Sequence, residues 1–262
     1  MSMFSDLFGT ARDAALVTGA GNGIGRAIAQ ALTGEGVRTI FADIREDTVA
    51  AAAAAAPRPE LAKVWVGDLA NREARDALLA HATSAMGMVN LFVHSAAPPR
   101  READHALAVT DETWQRMHAV NVDAGFHLAR ELARPLIARR APGSFLMLTS
   151  LHAETPRNLP HYSTAKAALA VLVRELAKTL GQFQIRVNAL VPGAIAAGGF
   201  VADPAMARHI PLGRLGKSED LAPMALALLS NRVSAYVTGA AFVVDGGISL
   251  TNWFDAPKLD GL

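Results

Sequence analysis

The chain has 262 residues, of which 51% are hydrophobic and 19% charged, with a net charge of +1 and no cysteine. That length accommodates one large domain or two small ones around a substantial core. The near-neutral balance argues against a nucleic-acid face or a polybasic membrane patch, and the missing cysteine excludes disulfides, thiolate nucleophiles and cysteine-based metal sites.

From the N-terminus, Met1–Arg12 carries Asp6 and no long apolar run, so it does not resemble a secretory signal. No segment reaches the roughly 18 consecutive apolar residues of a membrane-spanning helix. A soluble, cytoplasmic protein is therefore expected. Ala14–Thr18 reads as a first buried strand, followed by a helix from Gly23 to about Glu35 that Gly36 closes. A second strand is expected at Val37–Ala42, then an alanine-rich surface helix over Glu46–Ala56, ended by Pro57 and Pro59. Lys63–Val66 reads as strand, Asn71–Ala85 as helix and Leu91–His94 as strand. Asp111–Arg140 is predicted as one or two long helices kinked at Pro135.

Ser144–Ser150 is the fifth predicted strand, His161–Leu180 a helix and Ile185–Val191 the sixth strand. A loop and short helix around Gly198–Arg208 lead to a helix over Glu219–Leu229 and a last strand at Ala241–Val244. Strands alternating with helices predict a parallel sheet covered on both faces: a single-domain, doubly wound α/β fold of the Rossmann type with about seven strands. No composition shift marks a linker, so the domain is expected to span residues 1–262, with its core at 14–248 and a C-terminal tail.

The turn after the first strand reads Thr18-Gly19-Ala20-Gly21-Asn22-Gly23-Ile24-Gly25. Glycines there allow a tight turn and close approach of a dinucleotide, and the following helix offers free N–H groups to its pyrophosphate. A glycine turn alone is weak evidence; its place between strand and helix strengthens it. Asp43, at the end of strand two, is placed to accept hydrogen bonds from the adenosine ribose and to repel a 2′-phosphate. NAD is thus expected rather than NADP. Arg45 two positions on argues the other way, and Asp43 as a cap of the next helix is the competing reading.

His161-Tyr162-Ser163-Thr164-Ala165-Lys166 opens a helix and sets Tyr162 and Lys166 one turn apart on one face. An ammonium beside a phenol lowers its pKa from about 10 and makes it a usable acid/base. That spacing also arises by chance on many helices.

Taken together, Thr18-Gly-x-x-x-Gly23-x-Gly25, Asp68, Asn121, Ser150, Tyr162-x-x-x-Lys166 and Pro192-Gly193 resemble, in order and spacing, the short-chain dehydrogenases/reductases, in the one-domain branch of about 250 residues. Arg214–Asp220, Tyr236-Val-Thr238-Gly239 and Val244-Asp245-Gly246-Gly247 fit the same branch, so the likeness runs from about Ala14 to Ile248. It implies hydride transfer between NAD(H) and an alcohol or ketone. Tyr162 would exchange a proton with the substrate oxygen, Lys166 would lower its pKa and bind the nicotinamide ribose, and Ser150 would hydrogen-bond the carbonyl or alkoxide. Asn121 would hold a water of a proton relay. Gly19, Asn22, Gly23, Ile24, Gly25, Asp43, Asp68 (with Leu69 beside it), Ala96, Pro192, Gly193 and Ile195 would line the cofactor. The resemblance also implies a homodimer or homotetramer built on the two long helices flanking strand five.

The chain departs from the family in three places. His94-Ser95-Ala96-Ala97 stands where Asn-Asn-Ala-Gly is usual; His94 there reads as a structural hydrogen-bonder rather than a base. Ser150 lies twelve residues before Tyr162 where thirteen is commoner, leaving Thr149 as a second candidate. Ala194–Gly199 lacks the usual threonine beside the carboxamide, which leaves the Ile195 backbone or water.

The substrate pocket is expected among Pro98–Arg101, Leu151–Pro160 and Ile195–Ile210. His152 and His161 flank the reacting residues as candidate polar contacts. Arg100-Arg101 reads as a solvated loop or a lure for an anionic substrate or acyl carrier. Gly198-Gly199 reads as a hinge, and Asn252-Trp253-Phe254 as a segment that packs on a neighbour. His81, His105, His118, His127 and His209 show no metal spacing. A 3-oxoacyl-thioester reductase is the alternative within the family. A non-catalytic cofactor-sensing or scaffold protein is the alternative outside enzymology.

Overall fold

Five of the seven strands, β1 (Ala14–Thr18), β2 (Arg38–Asp43), β4 (Leu91–His94), β5 (Gly143–Leu148) and β6 (Ile185–Pro192), are buried nearly throughout, as strands covered on both faces must be. With β3 (Ala62–Val66) and β7 (Ala241–Val244) they form a parallel sheet in the order β3-β2-β1-β4-β5-β6-β7. The computed structural model describes residues 13–101, 103–197 and 204–250. The expected hinge at 198–199 and the tail at 252–254 lie outside the described residues.

Alternation along each strand divides the core in two. Leu16, Phe92 and Phe145 face one side, where α3 (Arg72–Met86), α5 (Ala124–Ala138) and α6 (Pro160–Leu180) pack. Val17, Val93 and Leu146 face the other, under α1 (Gly23–Gly34), α2 (Glu46–Ala54) and α7 (Ser218–Leu229). The alanine-rich α2 is a surface helix that buries one side through Val49, Ala52 and Ala53. A short α8 (Asn231–Ser234) precedes β7.

Two differences from expectation bear on the site. β5 stops at Leu148, so Thr149 and Ser150 belong to the loop beyond it. α5 runs through Pro135 to Ala138; Pro135 sits on the exposed side of the last turns, where the carbonyl it leaves unbonded can meet water. A further change of geometry comes earlier in the chain. Between α4 (Asp111–His118) and α5 the backbone widens into a π-helix over Ala119–Asp123, with the Ala124 N–H reaching the Ala119 carbonyl five residues back.

The chain crosses from one side of β1 to the other on passing from β3 to β4, so the carboxyl ends of β1 and β4 diverge into a crevice. Thr18 and His94 are register partners at its floor. No described helix is long and apolar enough to cross a membrane.

Candidate active site

At the end of β1, Gly19 has φ +69°, and a Cβ there would lie 2.8 Å from the Ala96 nitrogen. A Cβ on Gly25 would stand 2.2 Å from the Gly19 carbonyl oxygen, so this glycine lets α1 approach the turn. Gly23 also has positive φ, Ile24 packs into the core below α1, and Asn22 is an N-cap that makes no side-chain cap bond. The first-turn N–H groups of α1 are thus left for a ligand. Bare backbone, close approach and uncapped donors suit the pyrophosphate of a dinucleotide.

Asp43 closes one edge of this cradle. Its Oδ2 accepts from the Gly21 N–H at 2.9 Å and its Oδ1 from the Arg45 N–H at 3.1 Å. The N-cap of α2 is Arg45, so Asp43 is not that helix's cap and its carboxylate is turned toward the glycine turn. Asp68 accepts from the Ala70 N–H at 3.0 Å and from the Arg116 guanidinium at 2.9 Å. Burial alone would raise its pKa, but these donors and the Arg116 charge outweigh it and hold the carboxyl below its ordinary range. The Leu69 side chain is buried in the core, which leaves only its backbone for the crevice. On the far side, Gly193 lies against Asp245, where a Cβ would come within 2.5 Å of the Asp245 Cβ. Ile195 bridges to Gly216, and its carbonyl accepts from the Ala197 N–H.

The reacting groups sit above the C-terminal ends of β4 and β5. Pro160 starts α6 at a position where its missing N–H costs nothing. Tyr162 and Lys166 follow on one face, both buried. The Lys166 Nζ donates to the Leu148 carbonyl at 2.7 Å and lies 5.7 Å from the Tyr162 ring centre. Burial first, and the Arg100 charge second, push the Lys166 ammonium down to about 7. The Arg100 guanidinium stands 4.5 Å from the same ring, and His152 meets it edge-on at 6.1 Å. Ser150 is buried, and its Oγ accepts from the His152 N–H at 3.2 Å, so its own proton is uncommitted. Thr149 instead donates its hydroxyl to the Leu190 carbonyl at 3.3 Å. Asn121 lies in the π-helix, fully buried; its Nδ2 donates to the Met117 carbonyl at 2.9 Å, and its Oδ1 has no donor.

This constellation is matched in known proteins. Residues 19–249 fit the sequence profile of the family described as Enoyl-(Acyl carrier protein) reductase. A short-chain type dehydrogenase/reductase of Sinorhizobium fredii is 33% identical over 89% of this chain and 96% of its own. A galactitol 2-dehydrogenase (L-tagatose-forming) of Cereibacter sphaeroides is 36% identical over 90% and 94%. A 3-ketoacyl-(acyl-carrier-protein) reductase of Brucella melitensis, solved with NADH, superposes with TM-score 0.85 at 29% identity, covering 90% of this chain and 98% of its own. The chain is a short-chain dehydrogenase/reductase. It is a nicotinamide-dependent oxidoreductase acting on alcohols or carbonyls.

Within that family framework, the histidine at the end of β4 is the most heavily bonded departure. The His94 Nε2 is 3.0 Å from the Val120 carbonyl and 3.1 Å from that of Asn121. Both partners only accept, so Nε2 carries the proton and Nδ1 accepts from the Thr18 hydroxyl at 3.0 Å. Thr18 Oγ1 in turn accepts from the Ser95 and Ala96 N–H groups. One directional chain of bonds thus ties β1, the loop after β4 and the π-helix together. Gly125 makes room for the ring: a Cβ there would lie 3.0 Å from His94 Cδ2. Ala97, exposed and outside the left-handed region, does not need the family's glycine.

Burial first, and the Lys166 charge second, push the His94 pKa down to about 4, against the opposing pull of its two carbonyl partners. His94 therefore stays neutral in the fold while the unfolded chain takes up a proton from about pH 6.5 downward. Its contribution is full above that value and falls by roughly 3 kcal/mol as pH drops to about 4. In urea unfolding from pH 7 to 4.5, the stability advantage of wild type over His94→Asn should shrink as pH falls; a constant difference would refute this.

Three other histidines are packed or paired within the protein. His161 is fully buried, with both ring nitrogens unbonded and Asp104 3.8 Å away, so it does not line the substrate space. His127 bonds Asp76 at 2.9 Å, and His118 stacks on Trp114 at 4.7 Å. Among the described residues no cluster of His, Asp and Glu is arranged to hold a metal ion. Arg100, expected in the pocket segment Pro98–Arg101, lies against Tyr162. The structure adds one residue that the sequence did not mark, Arg116 on Asp68.

Proposed function

We propose that this enzyme passes a hydride between NAD(H) and a small secondary alcohol or its ketone, with Tyr162 as the general acid/base. The observation that carries the reading is the buried Lys166 beside the Tyr162 ring, held by a single carbonyl. The nicotinamide, when bound, supplies or accepts the hydride. In the oxidative direction the Tyr162 phenolate takes the substrate hydroxyl proton, and in reduction the phenol returns one to the nascent alkoxide. The Lys166 ammonium lies 5.7 Å and the Arg100 guanidinium 4.5 Å from the centre of the Tyr162 ring. Ser150 donates its uncommitted hydroxyl proton to the substrate oxygen and holds it at Tyr162. Asn121, whose buried Oδ1 has no protein donor, suits a water that links Lys166 to solvent.

Gly19, Asn22, Gly23, Ile24 and Gly25 would hold the pyrophosphate, Asp43 the adenosine ribose, and Asp68 and Leu69 the adenine side. Ala96, Pro192, Gly193 and the Ile195 N–H would face the nicotinamide half. Asp43 supports NAD over NADP because its fixed carboxylate would repel a 2′-phosphate across Gly21. Fluorescence titration should show NADH binding more tightly than NADPH, and a panel of alcohols, sugars, ketones and 3-oxoacyl thioesters should show turnover. The reverse cofactor ranking would overturn the Asp43 argument; a wholly inactive panel would favour a cofactor-sensing role.

The Brucella melitensis likeness supports 3-oxoacyl-thioester reduction as the second reading. One domain would carry both sites, in a cytoplasmic homodimer or homotetramer. Exposed Trp114 on α4, Phe126 on α5 and Val171 on α6 support an interface on that side.

A further inference from the structure

The loop that leaves β4 carries Arg100 behind two prolines, Pro98 and Pro99, whose fixed φ angles stiffen its approach. Arg100 is exposed, and its guanidinium rests 4.5 Å from the centre of the Tyr162 ring. Among the described residues it has no carboxylate and no hydrogen-bond acceptor, so its forked donors are uncommitted. Several other arginines already have carboxylate partners. Arg116 pairs with Asp68, Arg130 and Arg134 with Glu131, and Arg214 with Asp220. The nearest described acid on the same loop, Asp104, is turned to the Arg101 N–H and toward His161.

Two cations, Arg100 and Lys166, therefore flank one phenol with no neutralising anion among the described residues. Their mutual repulsion is felt at Lys166. A ring face holds a guanidinium only weakly at an exposed site, by about 0.5–1 kcal/mol, so a better partner displaces it readily. The partner that matches a planar fork is a carboxylate, taken through two parallel N–H···O bonds.

We propose that Arg100 is a specificity-determining residue that clamps a substrate carboxylate, making the substrate a short hydroxy acid or the corresponding keto acid. The carboxylate lies a few bonds from the carbon that reacts, because Arg100 sits against the reacting tyrosine itself. That closeness disfavours an acyl-carrier thioester, whose phosphate lies at the far end of a long pantetheine arm. The proposal rests on Tyr162 marking the reacting centre, as in the function proposed above.

The test compares wild type, Arg100→Gln and Arg100→Lys on chain-matched pairs, such as gluconate against glucitol, in NAD-dependent oxidation. The wild type should favour the acid over the polyol in kcat/KM, and Arg100→Gln should shrink that preference by about 10- to 100-fold, chiefly through KM. Arg100→Lys should keep part of it, since it retains the charge and loses the fork. A second readout avoids turnover: the stabilisation of the NADH-loaded protein by added hydroxy acids in thermal unfolding, expected in wild type and absent in Arg100→Gln. The proposal is overturned if wild type prefers neutral polyols, if Arg100→Gln keeps the acid preference, or if it reduces 3-oxoacyl thioesters as well as wild type while hydroxy acids bind neither protein. Carboxylate binding that depends on Arg100 without any turnover would support the clamp and count against the oxidoreductase assignment of Tyr162.

Discussion

Tyr162→Phe is expected to lower turnover by about 10²- to 10⁴-fold, the usual weight of a general acid/base. Affinity for NADH should stay within a few-fold of wild type. The reason lies in what the substitution preserves. The Tyr162 ring packs against Met117, Leu159 and Ala165 in a small apolar cluster that phenylalanine fills equally well. The ring also keeps its face for Arg100. Only the hydroxyl is removed, and with it the atom that exchanges the proton. Stopped-flow turnover paired with NADH fluorescence titration separates the outcomes. Equal losses in both would make Tyr162 a structural residue, and unchanged turnover would place the acid/base elsewhere.

The second large effect has opposite signs for activity and for stability. Lys166→Met should abolish turnover and yet raise the unfolding free energy at pH 7. Burial pushes the Lys166 pKa from 10.5 to about 7, so the folded state holds this proton less well than the unfolded chain does. The penalty is full below about pH 7 and fades as pH rises toward 10.5. Its size at neutral pH is roughly 4 kcal/mol. Methionine removes that penalty and fills similar space, but it leaves the Leu148 carbonyl without a donor, at a cost of about 1–3 kcal/mol. A net gain of about 1–3 kcal/mol follows, or a few degrees in Tm for a chain of this size. The gain should diminish in unfolding experiments near pH 10. A variant less stable than wild type at pH 7 would mean that the lysine's charge is compensated inside the fold.

The parts of the molecule legible in the sequence are those whose cause is local. The strand–turn–helix at 14–34 is written in an apolar run and glycines whose crowding the structure shows directly. Tyr162 and Lys166 follow from helical spacing once the surrounding motifs supply context. The parts that escaped depend on partners far along the chain. Arg100 reaches a ring 62 positions away, and Arg116 reaches Asp68 across 48. Helical periodicity cannot register either contact. The π-helix carries no residue signature, since the freed Val120 and Asn121 carbonyls are answered by a histidine on another element. Pro135 lies inside α5, which continues through it to Ala138 because a proline on the exposed side leaves the carbonyl it cannot bond to face water. His161, read as a candidate polar contact in the pocket, is instead fully buried, 3.8 Å from Asp104.

The fit between the His94 ring and Gly125 ties the mutational histories of two positions together. A methyl group at residue 125 would press on the imidazole while His94 is present. Replacing His94 by the smaller asparagine would open the space that such a methyl could fill. Alanine at 125 is thus unfavourable before that exchange and acceptable after it, so a lineage leaving this arrangement must change residue 94 first. A library that varies residue 125 alone would undercount alanine there and miss the paired solution.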